Sequence, residues 1–178
     1  VYKRQEEKRE WNGAECSTSD LTLSINDRTA KPLEIFIDTK IVNNEERTVE
    51  QAIHRIEPTV KLRQLRYLAP TQQSPADILT TIALFNPNKE VAYIRRGDTV
   101  TQWNSDTKQE ESITTSPLDG DYTVLRRDEP DTGAIGLGQG SATGICYVCR
   151  NVSEATMTQT SILEIFGNQH AATLERLV

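Results

Sequence analysis

Two of the chain's three cysteines, Cys146 and Cys149, stand in the run ICYVCRNV. A C-x-x-C pair can hold zinc or exchange disulfides, and each chemistry asks for a particular backbone. A structural zinc site folds the pair into a tight turn and takes two further ligands from a second pair. A redox pair places one thiol at a helix N-terminus, where the dipole favours the thiolate. Here Ile145, Tyr147, Val148 and Val152 are strand formers, no second pair exists, and Cys16, His54 and His170 are scattered. Side chains alternate along a strand, so residues an odd number apart face opposite sides. The expectation is two buried strand cysteines and no metal.

The segment before them, GAIGLGQGSATG, carries Gly133, Gly136, Gly138, Gly140 and Gly144. A phosphate-cradling loop needs a hydrophobic strand before its glycines and a helix N-terminus after them. This one follows the acidic run Asp128-Glu129-Pro130-Asp131 and leads into a strand, which is the wrong order, so a mobile or tight turn is expected. Arg96-Gly97-Asp98 is a tripeptide that integrins read on loops, and it is also good hairpin-turn chemistry. Arg96, Gly97 and Asp98, with nearby Trp103, are the candidate interaction residues. No catalytic residue is assigned. His54 lies one turn after Glu50, a spacing that suits a solvated helix contact. His170 is expected in the first turn of a last helix, where the dipole disfavours its charged form. Asp119-Gly120-Asp121 reads as a turn, although carboxylates from distant segments can assemble into an acid–base pair.

These residues must be carried by a chain of 178 residues, enough for one ordinary domain. Its 36% hydrophobic content, with mean hydropathy -0.55, points to a small core. A net charge of -6 speaks against nucleic acid as a partner, since such binders present a basic face. The basic pairs Arg95-Arg96 and Arg126-Arg127 are each closely followed by acids. No stretch approaches the roughly 20 apolar residues of a membrane helix. Three cysteines make no disulfide framework. The opening VYKRQ resembles translated sequencing-adapter read-through of the kind found in metagenomic assemblies, so the native start is expected elsewhere.

Residues 1–15 read as a charged tail and 16–178 as one domain. Leu21, Leu23 and Ile25 alternate with polar residues, as do Leu33, Ile35, Ile37 and Ile41, which predicts a hairpin with one wet face. A helix is expected from Thr48, capped with Gln51 and ended by Pro58, while VKLRQLRYLA is ambiguous, its Leu62, Leu65 and Leu68 fitting a helix. Ser74, Pro75 and Asp77 open a cleaner helix running to Asn86-Pro87. VAYIR and TVTQW flank the Arg96-Gly97-Asp98 turn, a polar connection follows, and DYTVLRR, ICYVCRNV and TSILEIF read as strands. HAATLERLV reads as a last helix, cut short at Val178.

The fold class is therefore α+β: a meander-like antiparallel sheet of about five to seven strands with two or three short helices on one side. The functional expectation is a non-enzymatic structural or assembly protein, a subunit of a viral particle, appendage or other complex. Protein partners or self-association would then cover strand edges, TSILEIF and ICYVC being the least protected by charge. Two further classes stand behind it. One is a ligand- or metal-binding module using the Gly133 to Gly144 loop with Cys146 and Cys149, and the other an enzyme with dispersed carboxylates.

Overall fold

The computed structural model describes residues 32–128, 136–167 and 172–177. Among these residues eight strands form one antiparallel sheet in the order β5-β4-β3-β1-β2-β7-β6-β8, and four short helices accompany it. The α+β class holds, with more strands and helices than expected.

β1 (Leu33–Thr39) pairs along its whole length with β3 (Glu90–Arg96), but with β2 (Lys61–Ala69) only at 35–37. Both sides of β1 thus meet described strands, while the hairpin partner expected for it was Leu21 to Ile25. Those earlier residues lie outside the described ones. Ile41 lies beyond the strand and is exposed.

Where β1 leaves β2, helix α1 (Asn44–Ile53) takes over. The Glu50 and Glu46 carboxylates accept the amides of Leu62 and Gln64 at 3.2 and 2.8 Å. Two glutamates at i, i+4 on one helix face thereby stand in for a missing neighbouring strand. The helix begins a turn earlier than Thr48, because Asn43 caps it by accepting the amides of Glu45 and Glu46. Thr48 instead turns its hydroxyl back onto the Asn44 carbonyl.

The ambiguous segment VKLRQLRYLA, whose leucines fit a helix, is the strand β2, buried on both faces. Leu62 and Leu68 point to one face and Leu65 and Tyr67 to the other, which hides the two-residue period. Helix α2 (Pro75–Leu79) has the expected N-cap Ser74, and Asp77 closes a capping box with it. It ends well before Asn86, where Thr80 and Thr81 hydroxyls bond the carbonyls of Ala76 and Asp77.

β3, β4 (Thr99–Asn104) and β5 (Gln109–Ser112) form a meander, with β5 a strand in what read as a polar connection. β6 (Tyr122–Asp128) and β7 (Ala142–Arg150) form a second hairpin. Beyond it, two expectations are exchanged. TSILEIF is not a strand but helix α4 (Thr160–Phe166), following the single-turn α3 (Glu154–Met157). Ile162 and Phe166, four residues apart, bury one face. The expected last helix is instead β8 (Ala172–Leu177), an edge strand on β6.

All four helices serve one face of the sheet. α2 packs with Ile35, Ile37, Leu68, Ile94 and Trp103, while α1, α3 and α4 pack over Leu62, Val124, Tyr147 and Cys149. ICYVC lies in the interior strand β7, which is one of the two outcomes expected for such a segment, and TSILEIF, as a helix, presents no strand edge. The described edges β5 and β8 carry Glu110, Glu111, Glu175 and Arg176, the usual protection of an edge strand.

Candidate functional site

Cys146 and Cys149 sit on opposite faces of β7, each fully buried in a different part of the core. Burial pushes both thiols up to about 12. Two sulfurs on opposite faces of one strand cannot close on a single ion, and such thiols are neither good nucleophiles nor ligands. Among the described residues no group of three His, Cys, Asp or Glu could hold a metal.

Of the glycine segment, Gly133 lies outside the described residues. The part from Gly136 is the tight turn expected, with Gly136, Gly138 and Gly140 at positive φ: Leu137 is buried in the core, the Ser141 hydroxyl donates to its carbonyl at 2.7 Å, and Thr71 donates to the Gln139 carbonyl. His54 places Nε2 2.7 Å from the Val60 carbonyl, and Glu50 is held by the Leu62 amide, so these two anchor the start of β2 instead of meeting on the surface. His170 is outside the described residues.

Among the interaction candidates, Gly97 has φ +62 in the β3–β4 turn, the conformation that asks for glycine. The exposed Arg96 guanidinium forks onto Glu110 of β5 at 2.6 and 2.8 Å. That contact holds the Glu110 carboxyl below its ordinary range. Asp98 also has an interaction partner. Trp103 is buried, and with Phe85, Pro87 and Val91 it lines a cleft of about 360 Å³ that opens where the β3–β4 ladder stops at Tyr93 and Gln102. Polar groups there are largely spent on one another: Lys40 donates to the Pro87 carbonyl, Asn104 to Glu111, and Glu90 accepts from Arg66 and the Asn86 amide.

The second face of the sheet is built differently, and sequence reasoning missed it. Tyr93, Phe36 and Tyr67 are register partners across β3, β1 and β2, and the Phe36 and Tyr67 rings lie 5.3 Å apart. An arginine lies over each ring: Arg63 over Tyr93 at 5.9 Å, Arg95 over Phe36 at 5.6 Å, and Arg127 over Tyr67 at 5.7 Å. A carboxylate holds each arginine in turn. Asp38 takes Arg63, Glu34 takes Arg95 at 2.6 Å, and Glu175 takes Arg127 at 3.3 Å. Glu34 also accepts the Tyr67 hydroxyl at 2.9 Å, and burial together with that carboxylate pushes the phenol well above its ordinary pKa. The residue read as facing water, Glu34, is only 8% exposed.

Among the described residues no helix covers this face; Leu118 reaches it from the loop before β6. The signal that could have revealed it was Gly144 inside a strand pattern, which marks a close backbone approach. A Cβ there would stand 2.2 Å from the Arg126 carbonyl oxygen, so glycine lets β6 come close and brings Arg127 near Tyr67.

No described helix is long and apolar enough to cross a membrane. No family model matches the chain, and neither curated proteins nor solved structures yield a match.

Proposed function

We propose that the protein is a non-enzymatic assembly protein, a subunit of a particle, appendage or other complex, and that it docks through the arginine-roofed face of its sheet. The observation that carries this reading is the layer of Arg63, Arg95 and Arg127 over Tyr93, Phe36 and Tyr67. Arginine and tyrosine are the residues enriched at interface hot spots, because a flat cation and an amphipathic ring bury much area at low entropic cost. Arg63 and Arg127 are still 39% and 36% exposed, so both have surface left to bury. The face carries both signs of charge in alternation, which makes it self-complementary across a twofold axis. The two buried thiols, both pushed up to about 12, support the non-enzymatic part.

Light scattering after size exclusion tests this reading. The expected result is a species larger than the 20.0 kDa chain, reduced to the single chain by Arg127→Glu with the circular dichroism spectrum retained. A strictly monomeric parent at high concentration that turns over a small molecule would overturn it in favour of an enzyme.

A further inference from the structure

One pair on the sheet breaks the rule that governs its neighbours. Arg63, Arg66, Arg95, Arg96 and Arg127 each meet a carboxylate. Lys61 and Arg150 do not, and they are direct partners at the end of the β2–β7 ladder. Like charges placed opposite each other destabilise a sheet. Arg150 donates through Nε to the Asp119 carbonyl at 3.0 Å, which leaves its two terminal nitrogens unspent, and Lys61 has no partner among the described residues. Both are exposed.

These two cations, with Arg63, Leu62, Pro117 and Val148, line a depression of about 170 Å³. A water molecule's share of liquid volume is about 30 Å³, so a small oxyanion fits with solvent to spare. The nearby acids are occupied elsewhere. Asp38 takes Arg63, Asp119 accepts the Ser116 amide, and Asp121 accepts the amides of Asn151 and Val152. Two cations with no carboxylate partner among the described residues, and a third paired with Asp38, therefore line one small concavity.

We propose that this depression binds a phosphate-type oxyanion, free or as a small phosphomonoester. Arg150 presents its two terminal nitrogens as a fork to two of the oxygens, and Lys61 acts as a point charge beside them. The bound dianion relieves the Lys61–Arg150 repulsion. The depression shares Arg63 with the docking face proposed above, but its test reads ligand binding rather than oligomeric mass.

The experiment is a titration of the full chain with inorganic phosphate at ionic strength held constant with sodium chloride, followed by backbone-amide NMR and thermal melting. Saturable shifts are expected at residues 61–63 and 148–150. At ten times the dissociation constant the melting temperature should rise by about 3–6 °C. Lys61→Gln should weaken binding about tenfold or more while leaving the unliganded protein at least as stable, because it removes a like-charge contact. Arg150→Gln should weaken binding as much. Should that variant lose its fold with the Asp119 contact, Lys61→Gln carries the test alone. Phosphoserine binding more tightly than phosphate assigns the ester, and equal or weaker binding assigns the free ion. Acetate binding as well as phosphate would overturn the phosphate-type assignment. A linear, unsaturable response that is the same in parent and variants would overturn the site itself.

Discussion

The two faces of the sheet are closed by different physics. On one, four short helices lay aliphatic and aromatic side chains over Ile35, Val124, Tyr147 and Cys149. On the other, guanidinium groups held by carboxylates lie over aromatic rings. The helix face depends on apolar area removed from water and is indifferent to salt. The roofed face depends on charges that are partly desolvated, so each member is tolerable only while its partner is present. A chain with a small apolar complement can close a second face this way, using the stems of long polar residues as cover. That arrangement also leaves charged heads at the surface for a partner to meet.

Breaking the helix face should have the largest effect. Phe166 is buried against Tyr147 with ring centroids 4.9 Å apart. Phe166→Ala is expected to cost about 3–5 kcal/mol in urea unfolding, with little dependence on salt. A loss under about 1 kcal/mol would mean that α4 contributes little to that face.

Next comes the roof. Glu34→Leu strands the Arg95 guanidinium, whose side chain is 15% exposed, and removes the acceptor of the Tyr67 hydroxyl. A loss of roughly 2–4 kcal/mol is expected. Adding Arg95→Leu should recover part of it, because the unpaired charge then goes too. The comparison fails if the double variant is as unstable as the two single losses added together.

The smallest effect is also the most direct comparison, since each face has its own thiol: Cys146 under the roof and Cys149 under the helices. In a Cys16→Ser background, maleimide labelling should be slow at both while the protein is folded. Rising salt should speed Cys146 relative to Cys149, because salt weakens the paired charges alone. Both folded thiols are pushed up to about 12, above the unfolded value of about 8.5. Their contribution to stability is therefore complete below about pH 8.5 and is lost as pH climbs from there to about 12. Equal salt response at the two thiols would show that the faces open as one unit.

By itself the sequence determined what depends on a few neighbouring residues. Ser74 and Asp77 could only cap a helix start, because donor and acceptor lie within one turn. Gly97 between two alternating runs made a hairpin turn for the same reason, and the opposed faces of Cys146 and Cys149 followed from strand geometry once the run was read as extended. Tertiary structure decided everything whose partner lies far along the chain. TSILEIF and HAATLERLV were assigned opposite types because segments of seven and nine residues differ little in intrinsic preference. The burial of Ile162 and Phe166 under α1, and the ladder of β8 on β6, outweigh that preference. The arginine roof was invisible for a stronger version of this reason. Arg127 meets Tyr67, and Arg95 meets Glu34, across 60 and 61 positions of chain. Alternation marks Glu34 as polar, but only the fold decides whether a polar side chain meets water or a guanidinium.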